Sequence, residues 1–362
     1  MSSNFGNKIK VSIFGESHGS AIGCVVDGFP AGEKVDTEKL EKFMDRRAPA
    51  KNKFGTKRNE KDKVEFMSGI VDGILTGSPL TGVIFNRDHR SKDYKNLELV
   101  PRPSHADFTA YVKYKGFADM RGGGHFSGRL TAPICMVGGI AKQILERKNI
   151  HIGSHLFSIG DLEDDSYNTV NLSKKELELA STSEFPVINN EVSKKMQKLL
   201  DDIRMEEDSI GGIIQTGVLG LPIGLGNPMF DGIENKLAKV LFGIPGVKGV
   251  EFGSGFEGTK LKGSEHNDGF DLIEGKIVTK TNNNGGIIGG ISNGMPVLFK
   301  VAMKPTPSIS KEQNSINLNT NEREKLVIKG RHDPCIAIRA VPVIEAIAAT
   351  VVLDLMMEEG YI

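Results

Sequence analysis

The chain has 362 residues, of which 38% are hydrophobic and 25% charged, as in an ordinary globular protein that can bury a sizeable core. Lysine plus arginine and aspartate plus glutamate both number 46, so no net charge attracts the chain as a whole to nucleic acid or an anionic membrane. Any binding of anions must therefore come from local clusters of basic side chains.

Hydrophobic patterns predict strands and helices in the first half of the chain. Alternating residues predict a hairpin of two strands, at about 8–14 and 21–29, on either side of the segment Gly15-Glu-Ser-His-Gly19. Asp36 is the predicted N-cap of a helix that Pro49 ends. Further predicted elements are strands at about 64–73 and 80–86 and helices at about 106–115 and 131–147.

The second half contains two predicted amphipathic helices, at about 192–204 and 235–242, and a final apolar helix at about 341–357. Because Glu345 and Asp354 interrupt that apolar run, it predicts a buried core helix rather than a membrane span. The N-terminal residues lack a basic region followed by an apolar one, so we expect a cytoplasmic protein.

A short motif occurs twice in the chain. Val26-x-Gly28-x-Pro30-x-Gly32 has a counterpart in Val218-x-Gly220-x-Pro222-x-Gly224, and each copy follows a strand-like run. The repeat predicts two related halves around a shared core. Runs of strands with few intervening helices favour an α+β fold over a doubly wound parallel sheet. We therefore expect antiparallel sheets with helices packed between or against them.

Three glycine-rich segments lie next to arginine, histidine or asparagine: Arg121-Gly-Gly-Gly-His125, Asn284-Gly-Gly-Ile-Ile-Gly-Gly290 and Gly330-Arg-His-Asp-Pro334. Glycine lets backbone N–H groups approach an anion closely, and arginine supplies a fork that matches phosphate. Together they predict a phosphorylated ligand. None of the segments fits the P-loop pattern or a dinucleotide-binding turn between a strand and a helix.

His18 and His105 are the candidate proton-transfer residues. Each lies in a predicted loop near a carboxylate, and imidazoles titrate near working pH. The carboxylates are Glu16 and Asp107. Ser17 is not predicted to be a hydrolase nucleophile, because no G-x-S-x-G turn surrounds it. On an extended segment, Ser17 and His18 would point to opposite sides.

The sequence predicts no metal site. His151 and His155 are four residues apart, but the glycine and serine between them disfavour a helix that would bring both to one face. Cys24, Cys135 and Cys335 lie far apart in apolar stretches, so we expect buried free thiols in a reducing compartment.

The segment 51–63 carries six basic residues and raises the question of nucleic-acid binding. Glu60 and Asp62 interrupt the basic residues, and the segment has little aromatic content for stacking on bases. We therefore expect a mobile lid or a solvated surface here.

Five segments, in order along the chain, resemble those of the chorismate synthase family. They are Gly15-Glu-Ser-His-Gly-Ser-Ala-Ile-Gly-Cys-Val-Val-Asp-Gly-Phe-Pro30, Arg102-Pro-Ser-His-Ala-Asp107, Arg121-Gly-Gly-Gly-His-Phe-Ser-Gly-Arg129, Lys304-Pro-Thr-Pro-Ser308, and Gly330-Arg-His-Asp-Pro-Cys335 with Arg339-Ala-Val-Pro342. The resemblance runs nearly from end to end and is weakest at 160–205. It implies one domain over residues 1–362, folded as a β-α-β sandwich, and a homotetramer.

The resemblance implies that the chain converts 5-enolpyruvylshikimate 3-phosphate to chorismate by loss of phosphate and a ring proton. Family members require reduced FMN although no net redox change occurs, and NADPH is a candidate reductant. No added segment resembles a second, nicotinamide-binding domain, so we expect the chain to depend on an external flavin reductase.

The resemblance also implies catalytic roles for four residues. His18 would protonate the departing phosphate, and His105 would stabilise the anionic reduced flavin near its pyrimidine ring. Asp333, helped by Ser17, would tune the flavin N5, which accepts the ring proton.

The implied binding residues fall into two groups. Arg47, Arg129 and Arg339 are candidates for the carboxylates and phosphate of the substrate, and the position of Arg47 is also assigned to NADPH. The implied flavin contacts are His125, Phe126, Ser127, Pro245, Gly246, Gly289, Lys304, Pro305, Thr306, Pro307, Ser308 and Arg331.

Two of these segments depart from the family pattern. Many relatives have Arg-Ser-Ser where this chain has His125-Phe126-Ser127, and Asn-Ala where it has Pro245-Gly246. The first change removes a cation and a hydroxyl, and Phe126 can supply apolar contact instead. The main alternative function is an FMN-dependent oxidoreductase acting on a phosphorylated substrate, which would consume reductant in every turnover.

Overall fold

Two long helices lie between two antiparallel sheets in this chain. The computed structural model describes residues 3–48, 62–86, 99–328 and 333–362. Its strands are β1 (Asn4–Phe5), β2 (Lys10–Gly15), β3 (Ala21–Asp27), β4 (Glu65–Ser68), β5 (Ile70–Val71), β6 (Ile74–Leu75), β7 (Leu80–Phe85), β8 (His151–Ile159), β9 (Leu162–Glu163), β10 (Gly212–Leu219), β11 (Val247–Phe252), β12 (Phe270–Ile273), β13 (Lys276–Thr279), β14 (Ile287–Ile288), β15 (Ile291–Ser292), β16 (Val297–Met303), β17 (Gln313–Ile316) and β18 (Arg323–Leu326). Its helices are α1 (Thr37–Asp45), α2 (Asp107–Lys113), α3 (Thr131–Arg147), α4 (Lys174–Thr182), α5 (Asn190–Met205), α6 (Ile233–Leu241), α7 (Gly263–His266) and α8 (Ala337–Glu358).

Both large sheets have five strands. The order is β1-β2-β3-β7-β4 in the first sheet and β11-β16-β10-β8-β9 in the second. In the first sheet, Cys24 of the central strand β3 lies opposite Ile13 of β2 and Gly82 of β7, and both pairings are antiparallel. In the second sheet, β10 pairs antiparallel with both β8 and β16.

The helices α3 and α8 form the layer between the sheets. α3 packs against β3 and β7 of the first sheet, α8 packs against β8 and β10 of the second, and the two helices pack against each other. Their contact is close, because a side chain at Gly138 would overlap Ala346 of α8. This architecture confirms the predicted α+β sandwich of antiparallel sheets with helices between them.

A continuous hydrophobic core joins the three layers. It includes Ile84 of the first sheet, Ile140 of α3, Ile347 of α8 and Ile214 of the second sheet. The three cysteines are free and buried, as predicted, and burial raises the pKa of each thiol.

Helix α8 is the predicted core helix. Among the described residues it is the one helix long and apolar enough to cross a membrane, and nearly all of its most apolar stretch is buried inside the protein. Its two buried carboxylates have partners. Asp354 accepts hydrogen bonds from the backbone N–H groups of residues 7–9, and Glu345 pairs with Arg46 and Lys142.

The repeated motif has the same environment in both halves of the chain. Gly28 follows β3, Gly220 follows β10, and their φ angles are +98° and +86°. At each glycine an added Cβ would overlap a backbone carbonyl oxygen, of Lys8 or Asn149, just ahead of the neighbouring strand. This correspondence agrees with the predicted pair of related halves, each with one five-stranded sheet and one long central helix.

The outer side of the second sheet carries α4, which packs on β8, and α5, which packs on β9. His155 of β8 is buried there, with Nδ1 3.1 Å from Oδ2 of Asp164 and Nε2 2.8 Å from Oε1 of Gln215. His155 thus belongs to a buried polar network of this sheet.

Candidate active site

Most of the predicted site residues lie at one end of the sandwich, where loops from both sheets meet the first residues of the central helices. The turn between β2 and β3 is at this end of the first sheet. Arg47 contacts Thr131, the first residue of α3, and Arg339, in the first turn of α8, contacts the backbone of Arg47. Because helix N-termini carry partial positive charge, this end of the molecule favours bound anions.

The turn between β2 and β3 is fixed from two sides. Asn86, just after β7, donates from its side-chain amide to the carbonyl oxygens of Glu16 and Gly19, at 3.2 and 2.8 Å. On the other side, the backbone N–H of Ser17 donates to the carbonyl oxygen of Gly124 at 3.1 Å. The first motif segment is therefore held in one conformation by both its neighbours.

A turn of three glycines, residues 122–124, lies between two histidine side chains. The φ angles of these glycines are +60°, +91° and +52°. At Gly122 an added Cβ would overlap the buried ring of His18, and at Gly123 it would lie 3.3 Å from Nε2 of His105. Because glycine has no side chain, the two imidazoles can approach the same turn at adjacent residues.

Ser17 and His18 face the same glycine. Oγ of Ser17 would lie 3.1 Å from a Cβ at Gly122, which the ring of His18 also contacts. The expectation that the two side chains point to opposite sides of the loop is therefore wrong. It assumes an extended segment, whereas residues 17–20 form a turn and bend.

An ion pair at the start of α2 orients His105. Arg102 donates from Nε and Nη2 to the two carboxylate oxygens of Asp107, each at 2.7 Å, and Nδ1 of His105 lies 2.6 Å from Oδ1 of Asp107. Burial opposes ionisation of Asp107, but hydrogen bonds from Arg102 and His105 outweigh it and hold the pKa of Asp107 below its usual range. An ionised carboxylate only accepts, so Nδ1 of His105 donates and Nε2, beside Gly123, can interact with a ligand.

The segment that follows β16, in the second half of the chain, contacts Arg102 and Ser104, which are close to His105 in sequence. Oγ of Ser308 accepts a hydrogen bond from Nη1 of Arg102 at 3.2 Å. Lys304 donates from Nζ to the carbonyl oxygen of Ser104, next to His105. Desolvation by burial lowers the pKa of Lys304, and the nearby positive charge of another lysine adds to the effect.

The same segment also contacts Asp333. Thr306 donates from Oγ1 to the backbone carbonyl oxygen of Asp333 at 3.3 Å. The carboxylate of Asp333 accepts from Nη1 of Arg339 at 2.8 Å, and Nε of Arg339 donates to the carbonyl oxygen of Arg47 at 3.0 Å. Asp333 is thereby connected to the arginines predicted to bind substrate.

Arg47 and Arg129 share the carboxylate of Asp62. Arg47 donates to Oδ2 from Nε at 2.9 Å and also from Nη2, and Arg129 donates from Nη1 to Oδ1. Nη1 of Arg47 lies 3.4 Å from Oγ1 of Thr131, and Nε of Arg129 lies 3.2 Å from Oδ1 of Asn86. Burial opposes ionisation of Asp62, but the two guanidinium groups outweigh it and lower the pKa of that carboxyl.

Two of the predicted flavin contacts follow the glycine turn. Nδ1 of His125 lies 2.8 Å from the carbonyl oxygen of Gly15, and Nε2 lies 2.9 Å from Oγ of Ser3, so this side chain also fixes the end of β2. Phe126 packs against Tyr114, with ring centroids 6.3 Å apart. Phe126 therefore makes apolar contact with the end of α2.

Ser127 and Gly246 contact the backbone of Arg129 and Lys304, respectively. Oγ of Ser127 accepts from the backbone N–H of Arg129 at 3.3 Å. Gly246, which follows Pro245, accepts from the backbone N–H of Lys304 at 2.9 Å. The segments that contain Ser127 and Gly246 thus lie next to the loops that hold the histidines and arginines.

Four further predicted flavin contacts differ in how the structure places them. Pro305 and Pro307 lie in the segment that follows β16. Gly289 lies in the turn between β14 and β15, a hairpin that packs against Gly232, and the contacts of the described residues do not connect it with the histidines. Arg331 lies outside the described residues.

Three residues of the candidate site are not among those predicted from the sequence: Asn86, Asp62 and Arg102. Arg102 lies within a motif that resembles the family, so a local signal for it exists. Asp62 is buried, and the expectation of a lid or solvated surface is wrong at this position, because its partners lie at distant positions 47 and 129. Residues 51–61, which make up most of that segment, lie outside the described residues.

Comparison with known proteins identifies the family. A family model described as chorismate synthase matches residues 9–357. The chain belongs to the chorismate synthase family. A chorismate synthase of Lancefieldella parvula is 44% identical over 365 residues, which cover 98% of this chain and 96% of that protein. A chorismate synthase of Methanobrevibacter smithii is 43% identical over 366 residues, which cover 100% and 98%.

A solved structure of this family has the same fold. A crystal structure of chorismate synthase superposes with a TM-score of 0.78 at 28% sequence identity, and the match covers 98% of this chain and 93% of that one. Chorismate synthases are enzymes of aromatic amino acid biosynthesis that act on a small-molecule substrate. The family and the fold predicted from the sequence motifs are therefore confirmed.

Proposed function

We propose that this enzyme eliminates phosphate and a ring proton from 5-enolpyruvylshikimate 3-phosphate to give chorismate, with reduced FMN and no net redox change. The observation that carries the proposal is the approach of His18 and His105 to one glycine turn, next to a cluster of arginines, in a chain of this family. Elimination of phosphate requires a proton donor and positive charge, and these side chains supply both.

Arg47, Arg129 and Arg339 are the proposed substrate-binding residues. The substrate carries carboxylates and a phosphate, and guanidinium forks bind such groups with paired hydrogen bonds. The side chains of Arg47 and Arg129 are only 3% and 8% exposed, so their attraction for an anion is weakly screened by water. The position of Arg47 is also proposed for NADPH.

His18 is the proposed donor of a proton to the departing phosphate. Protonation reduces the negative charge on the leaving group, which lowers the barrier to its departure. His105, which Asp107 orients, is proposed to stabilise negative charge on a ligand beside Gly123. Asp333, with Ser17, is proposed to tune the group that accepts the ring proton.

The described residues fit a flavin cofactor in two respects. Nε2 of His105, beside Gly123, can interact with a ligand, and Lys304 and Ser308 offer polar atoms next to Ser104 and Arg102, close to His105 in the chain. When bound, reduced FMN supplies electron density to the reacting ring and is recovered unchanged. We propose that it is held by His125, Phe126, Ser127, Pro245, Gly246, Gly289, Lys304, Pro305, Thr306, Pro307, Ser308 and Arg331.

The proposal includes four statements about the whole protein. We propose one domain over residues 1–362, a homotetramer, a cytoplasmic location and an external flavin reductase. The continuous core across both sheets supports a single domain. Steady oxidation of NADPH by the purified protein with FMN, without any reductase, would contradict the dependence on an external enzyme.

Anaerobic incubation with 5-enolpyruvylshikimate 3-phosphate and a trace of reduced FMN tests the reaction. We expect inorganic phosphate and a conjugated diene to form in equal amounts, many times the amount of flavin. An oxidoreductase would instead consume one pair of reducing equivalents for every product molecule. Product formation that stops when the reduced flavin has been used once would reject the proposed elimination.

A further inference from the structure

A buried aspartate holds two of the arginines that are proposed to bind substrate. The side chain of Asp62 is 1% exposed, and it accepts hydrogen bonds from Nε and Nη2 of Arg47 and from Nη1 of Arg129. Both carboxylate oxygens are therefore engaged by guanidinium groups. This is the arrangement in which such groups bind the carboxylate or phosphate of a ligand.

Carboxylates of the protein offset much of the positive charge of Arg47, Arg129 and Arg339. Arg339 is paired with Asp333, and Arg47 and Arg129 share Asp62, so three guanidinium groups face two carboxylates. Among the described residues, Arg47 also contacts Thr131 and Arg129 also contacts Asn86, and both of these side chains are neutral. A ligand with a phosphate must therefore add its charge to that of Asp62 or take the place of Asp62.

Physical chemistry favours replacement. A phosphate beside an ionised carboxylate in a buried site would be repelled, because like charges interact strongly where water is excluded. A phosphate offers three oxygen atoms and more negative charge than one carboxylate, so it can satisfy both guanidinium groups. Asp62 precedes the antiparallel ladder of β4, which begins at Glu65, so it is not part of that ladder.

We propose that Asp62 is a built-in competitor for the anion site: its carboxylate occupies Arg47 and Arg129 in the ligand-free protein and is displaced by the phosphate of a ligand. The inference rests on the proposed function for the nature of the ligand. It predicts that Asp62 lowers the affinity of the free enzyme for phosphate. The benefit of the aspartate is that the buried guanidinium groups are not left without a counter-ion.

Calorimetric titration of the ligand-free enzyme with inorganic phosphate, at constant ionic strength and pH 7, tests this inference. In Asp62→Asn we expect phosphate to bind at least about tenfold more tightly than in the wild type, because a neutral amide competes poorly for guanidinium groups. Asp36→Asn is the matched control, because it removes the same charge while asparagine still caps α1. The control should bind phosphate as the wild type does.

Unchanged or weaker phosphate binding by a folded Asp62→Asn variant would overturn the inference and make Asp62 a residue that only spaces the arginines. If the variant does not fold alone, phosphate should restore its folding, since a ligand that binds only the native state stabilises it. Failure of phosphate to do so also counts against the inference. The measurement involves no turnover, so a failure of the proposed reaction would be seen separately, in the diene assay.

Discussion

His18 and His105 contact the same glycine turn but have different surroundings. His18 is buried next to Gly122, whereas Nδ1 of His105 is tied to Asp107. In His18→Ala and His105→Ala we expect turnover to fall by roughly 10²- to 10⁴-fold, because each imidazole is proposed to act on charge or protons in the reaction. Binding of FMN, followed by flavin fluorescence, should change little in either variant.

A histidine outside the site provides the control for these substitutions. His151 is the first residue of β8, whereas Ile159 at its other end pairs with Gly212, which lies beside Ala337 at the start of α8. His151→Ala therefore removes an imidazole from the end of the strand that is far from the candidate site. We expect this variant to retain nearly full turnover. Activity close to that of the wild type in both His18→Ala and His105→Ala would remove the proposed proton chemistry.

The two histidines could be predicted from sequence because their motifs are local. Glu16 and His18, or His105 and Asp107, are two residues apart, so the relevant side chains appear together in the printed sequence. The partners of Asp62 are 15 and 67 residues away, and no spacing rule connects them. Arg102 falls between these cases, since one of its contacts is local and the other is to Ser308.

At the scale of elements, the turn at 122–124 sets the distance between the two imidazoles. Gly122→Ala would place a Cβ on the ring of His18 at a φ of +60°, a conformation that costs other residues about 1–2 kcal/mol. We expect lower stability in thermal unfolding and a loss of turnover that exceeds the loss of stability, because His18 must move.

Gly128→Ala is the control for the glycine turn. An added Cβ at Gly128 meets no atom within 4 Å, and this glycine is not among those with positive φ. Stability and turnover should therefore remain close to those of the wild type. Equal effects of the two substitutions would mean that the conformation of the glycine turn does not position His18.

The contact between α1, α3 and α8 includes a buried charge cluster. Glu345 of α8 is fully buried and accepts from Arg46 at 2.9 Å and from Lys142. Glu345→Ala leaves two cations without their carboxylate, and we expect the free energy of unfolding in urea to fall by about 3–5 kcal/mol. A change below about 1 kcal/mol would show that solvent or other groups already neutralise these cations.

Most helices could be predicted from hydrophobic periodicity, because their buried faces repeat every three to four residues. α3, α5, α6 and α8 all lie where that pattern predicts helices. The pairing of helices could be anticipated only in part: small residues in α3 indicate close packing, but not that Gly138 meets Ala346. Such a partner is 208 residues away and depends on how the two halves meet.

At the scale of the molecule, buried carboxylates make the free energy of unfolding depend on pH. Desolvation raises the pKa values of Asp62, Asp107 and Glu345, but their cationic partners outweigh it and the pKa values are lowered. These groups stabilise the fold fully above their unfolded pKa values of about 4, and the contribution is lost as the pH falls through the lower folded values.

Urea unfolding at a series of pH values checks this dependence. We expect the free energy of unfolding contributed by these groups to be constant above about pH 5 and to decrease below about pH 4. Glu345→Gln should show a smaller decrease than the wild type, because one of the three groups no longer titrates. A free energy that rises on acidification would contradict the assignment of these carboxylates as ionised in the fold.

The repeated motif indicates two related halves, and the resemblance to the family implies the sandwich, whereas neither indicates the end at which the candidate site forms. A sequence repeat indicates two similar halves, but it carries no information on which strand ends come together. That depends on the contact between α3 and α8, which brings the loops ahead of both helices to one place.

Hydrogen bonds of the site cross from one half to the other, from Arg102 to Ser308, from Lys304 to Ser104 and from Arg339 to Arg47. The proposed catalytic and binding residues therefore come from both halves. Because a misplacement of about 1 Å can cost about 10²-fold in rate, we expect a small shift of α3 against α8 to lower turnover about that much while leaving each half intact. Activity is therefore expected to depend on the contact between α3 and α8. Substitutions in that contact can lower turnover although they lie far from any ligand.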